Sequence, residues 1–496
     1  MDKDLVKIFG KGAVVSLIGI ISGRIFHFLG FVILARTMGP GEFGVFSLNE
    51  NIVSILANIC TIGLDRGVIH FLNKSSNAQE SSKIILKALK ASMAGSFGVI
   101  LFFFLNYQFN FFSILTYQDF NQYLFYFSFV IVLNSLLFIG TAITRISLSM
   151  KYTFYYQYFG QPFLFFLIIL ILSITKLSLW NALLGLIISL VVVLIFNFRS
   201  VSRQYSLSAA ALFKKNHVKG LLQFSFVTIF ASSVTLLTTR FDRILLGILR
   251  NEYDVGIYQS ISQISVLMAL ILGAFGSIVI PMVSKYYNEN NFVQIKSLLH
   301  VSTKWSFYLA IPIFILFISI PDQIIEVVFG KEYLAGSATL SLLAFAQLIN
   351  AGTGPIGPTL IMTNNQKPWL KIALFSLLLN VSINYLLIPK YSYWGNGISM
   401  VITMSMLYGS GLSVLYRKYK ILPYNRNFLK GITSGIITFL ILWLIKNNIN
   451  IQDYFKVPFL VILCYALFIL FLYLLKFDKE DRILIEMISK KTGFNR

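Results

Sequence analysis

Arg24 and His27 lie one helical turn apart in a stretch that is apolar from Ala13 to Ala35. Arg24 stands about 20 Å of helix beyond Lys11, deep in any membrane span. A guanidinium at that depth is costly unless it faces a cavity or a partner, and its planar donors suit an anion with paired oxygens. Farther on, Ser47, Asn51, Ser54, Asn58, Thr61 and Asp65 recur every three or four residues, with Glu50 at the flank. Ser225, Thr228, Ser232, Thr235, Thr239 and Asp242 repeat the pattern, and Arg240 and Arg243 bracket its end. Asn380 and Asn384 form a third polar pair one turn apart, and Gln259 and Gln263 a fourth. At this period, each set lines one face of a helix.

Two chemistries fit such faces. They can line a polar pathway that binds hydroxyls and anions, or they can glue helices together, as Ser, Thr and Asn do in membranes. Arg24 could also snorkel to the interface, His27 could serve in packing, and Arg240, Asp242 and Arg243 could mark a helix end. The aromatic run from Tyr152 to Phe159 fits an interfacial belt.

The elements that carry these residues must be membrane helices. The chain is 57% hydrophobic and 12% charged, against about 25% charged in soluble chains. Fourteen apolar runs, centred from Gly23 to Val461, are each long enough to cross a bilayer. The first follows Lys3, Lys7 and Lys11 and is too long for a signal-peptide core, so it reads as an uncleaved helix. Cys60 and Cys464 both sit inside apolar runs, which leaves neither a disulfide framework nor a thiolate metal site.

The net charge of +22 suggests nucleic acid until the charges are placed. About three quarters of the lysines and arginines fall in alternate loops, on the side of both termini. The opposite loops hold Arg36, Lys176, Arg250, Lys331, Lys390, Lys446 and Lys456. The positive-inside rule then sets both termini in the cytoplasm, and attraction to anionic lipid replaces the nucleic-acid reading.

A repeat is visible. Gly44 to Ser47 (GVFS) corresponds to Gly256 to Gln259 (GIYQ) at the same helix number in each half, and Asn134 with Asn350 and Lys151 with Lys367 follow at a similar offset. Two parallel repeats of six helices give this arrangement. The expected divisions are 1–200 for the first bundle, 201–425 for the second, 426–476 for two peripheral helices and 477–496 for a cytoplasmic tail. No nucleotide-binding glycine loop, metal cluster, catalytic triad or long extramembrane loop is apparent, which argues against a glycan polymerase, ligase or glycosyltransferase and calls for no cofactor.

The segment Leu34 to Ser47 (LARTMGPGEFGVFS) resembles the first loop of the oligosaccharide flippases within the multidrug, oligosaccharidyl-lipid and polysaccharide exporter superfamily. Arg240 to Gln259 (RFDRILLGILRNEYDVGIYQ), Phe329 to Tyr333 (FGKEY), Asn380 to Pro389 (NVSINYLLIP) and Trp394 to Ser399 (WGNGIS) are similar to later landmarks in the same order. The resemblance implies an all-α integral membrane fold of about fourteen helices, with two six-helix bundles around a central cavity and two peripheral C-terminal helices. It implies a transporter in the cytoplasmic membrane that flips a polyprenyl-diphosphate-linked oligosaccharide by alternating access. Its further partners would be membrane lipid, a glycan polymerase and glycosyltransferases.

On this view Arg24, His27, Asn51, Ser54, Asn58, Thr228, Ser232, Thr235, Arg240, Arg243, Asn380 and Asn384 line the cavity, and Glu50, Asp65 and Asp242 are candidates for ion coupling. Arg24 also matches a cavity residue of the related lipid II flippases, but their denser arginine set is missing here, which favours the oligosaccharide branch. A cation-coupled multidrug exporter is the alternative; it would need carboxylates unaccompanied by arginines.

Overall fold

A computed structural model describes residues 3–75, 77–111, 120–147, 152, 154–205, 218, 220–446 and 452–475, with side chains from residue 21 onward except at 78, 147, 154, 204, 227–236, 238, 239, 274, 277 and 278. The expected tail at 477–496 and the loop at 447–451 lie outside them. Among the described residues the chain is helical with no strand.

Helix α1 runs over Lys3–Cys60 and breaks at Gly39, where φ 73 and ψ 173 leave the helical region just before Pro40. Only glycine adopts that conformation readily, and proline opens the next helix at little cost. The segment expected to be the first loop is therefore a single kink. Helix α2 (Leu64–Leu72) follows a second break, where Ile62 (φ 50) and Gly63 (φ 68) are both left-handed. The stripe expected to run unbroken from Ser47 to Asp65 stops there, and Asp65 falls in the first turn of α2.

The remaining helices are α3 (Ala78–Phe109), α4 (Phe120–Ser147), α5 (Gly160–Leu172) after a π-helical turn at Phe154–Tyr158, α6 (Leu179–Gln204), α7 (Leu221–Leu249) and α8 (Glu252–Asn288). Then come α9 (Phe292–Ser319), α10 (Pro321–Val328), a 3-10 turn at Lys331–Gly336, α11 (Ser337–Thr353), α12 (Ile356–Met362), α13 (Gln366–Tyr391), α14 (Tyr393–Tyr419), α15 (Phe428–Ile445) and α16 (Asp453–Leu474).

Twelve stretches among the described residues are long and apolar enough to cross a membrane, so the protein is a multi-pass membrane protein. The first, Ile21–Leu72, has 52 residues, or about 78 Å of helix against about 30 Å of hydrocarbon. The Gly39 break divides it. Helix α7 has 29 residues and is not among the twelve, and most of its central side chains lie outside the described set. The described stretches therefore number two fewer than the fourteen expected.

The chain divides into two compact units, Met1–Ser260 with Leu377–Asn396, and Ile261–Ser376 with Gly397–Arg496. In the first unit, α1 packs on α4, α5 and α7, and α4 packs on α3 and α6. Its core at one end joins Leu64 and Val68 of α2 to Ile84, Ile85, Ile139, Ile143 and Leu221. The Leu377–Asn396 segment is tied in by polar contacts. Asn396 Nδ2 donates to the Asp242 carbonyl (3.2 Å), Ser392 to Asp254 Oδ2 (2.5 Å), and Arg250 to the Pro389 carbonyl (3.4 Å). In the second unit, α9 packs on α11 and α15, and α16 on α15. Val279, Leu299, Ile356, Leu360 and Leu415 form its core, beside a network in which Asn365 donates to Tyr419 (2.8 Å) and accepts from Lys418.

The repeated glycines of the sequence touch one another within the first unit. A Cβ on Gly44 would lie 1.8 Å from the Glu252 carbonyl oxygen, and one on Gly256 would lie 1.9 Å from the Pro40 carbonyl oxygen. The contact is reciprocal: the start of each repeat's helix seats its glycine on the other's backbone.

Candidate functional site

The first unit gathers the deep polar residues of α1 around a small cavity. Gly23 sets the geometry, because a Cβ there would fall 1.6 Å from the Tyr158 carbonyl oxygen; α1 is thus pressed onto the π-helical turn beside Arg24. Phe26 packs between Phe159, Phe163 and Phe166, with centroids 4.9 to 5.6 Å apart, and holds the helix in rotation. The aromatic run read as an interfacial belt therefore contributes Phe159 to helix packing. His27 stacks on Phe31 at 4.4 Å.

Around this wall lies a cavity of about 90 Å³, lined by His27, Glu50 and Ser54 of α1, Asn134 of α4 and Gln161 of α5, with Phe46, Phe138 and Phe165 among its apolar lining. Among the described residues Glu50 is its only acidic lining group, and it is engaged. Arg240 Nη1 reaches both Glu50 carboxylate oxygens at 3.2 Å and Asn51 Oδ1 at 3.2 Å. That leaves Nε and Nη2 of Arg240 without a hydrogen bond to any described residue. Arg24 makes no hydrogen bond or ion pair with the described residues, although Glu50 and Arg240 are close enough to act on it electrostatically. Two guanidinium groups thus share one carboxylate.

The second arginine site is closed. Arg243 Nη1 meets Asp242 Oδ1 at 2.9 Å, its Nε donates to Gln259 Oε1 at 2.6 Å, and its guanidinium lies 5.6 Å from the centre of the Tyr258 ring. Tyr258 donates to Asp242 Oδ2 at 2.7 Å. Side-chain exposures of 11% for Arg243 and 6% for Asp242, against 31% and 20% for Arg240 and Glu50, separate a sealed pair from an accessible one.

The expected residues are therefore distributed unevenly. Arg24, His27, Glu50, Asn51, Ser54 and Arg240 come together in the first unit. Asn51 is buried and donates to the Ser47 carbonyl at 2.7 Å, whereas Asn58 lies on the same limb of α1 beyond the cavity lining. Asn380 and Asn384 are buried and bonded to each other at 3.0 Å. Asp65 lies past the break, while Asp242 and Arg243 belong to the sealed pair. The side chains of Thr228, Ser232 and Thr235 lie outside the described residues.

Reading the sequence did not single out Asn134 or Gln161 as lining residues, because an isolated amide in an apolar run has no periodic neighbours to flag it. Tyr258 was met only as a repeat position. Lys304 is fully buried in the body of α9.

Two family models match the sequence. One, described as polysaccharide biosynthesis protein, spans residues 9–287, and the other, MatE, spans 225–386. A probable low-salt glycan biosynthesis flippase, Agl15 of Haloferax volcanii, is 24% identical over 410 residues, covering 80% of this chain and 81% of that protein. The capsular polysaccharide biosynthesis protein CapF of Staphylococcus aureus is 26% identical over 220 residues; the match spans 43% of this chain and only 55% of that protein. Among solved structures, the lipid II flippase MurJ in an inward closed conformation superposes with a TM-score of 0.77 at 15% identity, covering 92% of this chain and 98% of that one. An inward-facing multidrug transporter of the MATE family gives 0.63 at 14% identity over 82% and 98%. At these identities the likeness establishes the fold alone, an all-helical membrane fold shared with those structures.

Proposed function

The chain belongs to the polysaccharide biosynthesis protein family, and from that premise we propose that it flips a polyprenyl-diphosphate-linked oligosaccharide from the cytoplasmic to the outer leaflet by alternating access. The fourteen-crossing topology, with both termini in the cytoplasm of a prokaryote, belongs to this reading.

One observation carries it. Among the described residues, Arg24 has no hydrogen-bonded or ion-paired anion, and Arg240, which takes the nearby Glu50 carboxylate, keeps Nε and Nη2 unbonded. Such a cluster is a cation short of an anion. A diphosphate supplies that charge with paired oxygens that match guanidinium forks, through charge-assisted hydrogen bonds. Ser54, Asn134 and Gln161 add neutral donors and acceptors suited to sugar hydroxyls. The polyprenyl tail stays in lipid, where apolar surface costs nothing to solvate.

The multidrug-exporter alternative needs a carboxylate available to a cationic cargo. Glu50 is paired with Arg240 and Asp242 with Arg243, which weighs against it. Deletion of the gene tests the proposal. Lipid-linked glycan should accumulate on the cytoplasmic leaflet and be cleared by the wild-type gene. Complementation by Arg24→Leu should fail with the protein present in the membrane at normal level. Unchanged leaflet distribution after deletion would contradict flipping.

A further inference from the structure

Helices α9 and α15 of the second unit carry a feature that the transport reading does not use. An apolar groove of about 210 Å³ runs along them, lined by Phe307, Ile311, Phe314 and Ile318 of α9 and by Ile432 and Ile436 of α15. The α9 positions recur every three or four residues, so they form one stripe. From Phe307 to Ile318 the stripe is about 16 Å long at 1.5 Å per residue. That matches the depth of one leaflet, about half of 30 Å of hydrocarbon.

At Ile318 the groove meets a second, polar pocket of about 270 Å³, to which Ile318 also contributes. Ser319, Asp322, Lys446 and Lys456 line this pocket. It stands where three candidate spans end, at Ser319, Ile445 and Asp453, and therefore at a water–lipid boundary. Lys446 donates to the Ser319 carbonyl at 2.7 Å, which holds its ammonium in the pocket with two further protons to give. Lys456 makes no hydrogen bond or ion pair with the described residues. Ser319 is 5% exposed, and its hydroxyl has no hydrogen-bond partner among the described residues. Two ammonium groups against the single carboxylate of Asp322 leave a net positive site.

We propose that the α9–α15 groove and the lysine pocket together bind an anionic phospholipid of the bilayer, with the headgroup phosphate at Lys446 and Lys456 and one acyl chain along the stripe. A free anion would have no use for the apolar half, and a neutral lipid would have none for the lysines. Continuity through Ile318 makes the two halves one amphiphile site.

The test is native mass spectrometry of the full-length protein in detergent, titrated with phosphatidylglycerol, phosphatidylcholine or inorganic phosphate. Wild type should retain phosphatidylglycerol well above phosphatidylcholine and should not retain phosphate. Lys456→Gln should lower phosphatidylglycerol binding about fivefold, the equivalent of about 1 kcal/mol per lysine at a membrane surface, and leave phosphatidylcholine unchanged. Ile436→Trp, which fills the exposed side of the groove, should weaken both lipids. Lys456 is the better variant because it holds no other residue, and an unchanged thermal midpoint identifies it as folded; should its midpoint drop, Lys456→Arg must keep the binding. Equal retention of the two lipids, undiminished binding by folded Lys456→Gln, indifference to Ile436→Trp, or retention of phosphate alone would each overturn the proposal.

Discussion

Gly44 and Gly256 provide a quantitative check on the first unit. Replacing Gly44 with Ala puts a methyl 1.8 Å from the Glu252 carbonyl oxygen, whereas ordinary van der Waals contact begins near 3.4 Å. The α1 and α8 backbones must therefore part by about 1.6 Å. Overpacking of this kind costs about 1–3 kcal/mol, and more where rigid backbone is the obstacle. Alanine recovers up to about 1 kcal/mol of helix propensity, leaving a net loss of about 2 kcal/mol. Gly256→Ala meets the Pro40 carbonyl at 1.9 Å and should behave alike. Because the same separation relieves both clashes, the double variant should be little worse than either single one, with a coupling of about 1–3 kcal/mol. Gly41, on the same limb with nothing within 4 Å, is the control: Gly41→Ala should be neutral or stabilising. Thermal unfolding of the purified protein, followed by tryptophan fluorescence, gives all four values. A wild-type midpoint for Gly44→Ala, or simple additivity in the double variant, would refute the reciprocal contact.

Other outcomes follow from the same geometry. Arg24→Leu should insert and accumulate normally yet abolish glycan export, with Arg24→Lys partly active, and comparing membrane level with surface glycan checks both. Glu50→Gln removes the carboxylate that holds Arg240; it should slow export and increase the salt sensitivity of substrate binding, measured as retention of lipid-linked glycan on the purified protein. Asp242→Asn breaks a buried pair at its 2.9 Å contact with Arg243 and leaves that cation uncompensated, so it should lower stability by about 3–5 kcal/mol, as read from unfolding midpoints. Exposed cysteines at Lys74→Cys and Arg426→Cys should escape an impermeant thiol reagent in intact cells, whereas Lys176→Cys and Lys390→Cys should react; the native pair, Cys60 and Cys464, is buried.

Much of the fold was legible because the bilayer imposes it. An apolar run near twenty residues long can only be a helix in lipid, so the elements follow from hydropathy. The face of α1 bearing Asn51 and Ser54 was legible for the same reason, since polar side chains repeat at helical period only where they avoid lipid. The breaks were harder. Gly39 and Pro40 look like a loop in sequence, yet a single residue outside the helical region turns the chain, and Ile62 gives no local sign of a left-handed conformation. Partners distant in sequence were not legible at all. Periodicity marks Arg240 and Arg243 as equals, and only the fold seals one on Asp242 and Tyr258 while leaving the other at Glu50 beside a cavity. The glycine repeat was visible as similarity, but nothing in a similarity says that the two copies touch.

The transport claim meets its most direct test in vesicles that contain only the purified protein and a polyprenyl-diphosphate oligosaccharide in the inner leaflet. Exposure of the glycan to an external, impermeant glycosidase, followed over time, measures translocation itself. Wild-type vesicles should expose it far faster than protein-free ones, and vesicles carrying Arg24→Leu should match the protein-free rate. Equal exposure with and without the wild-type protein, under an imposed proton or sodium gradient as well as without one, would contradict the account.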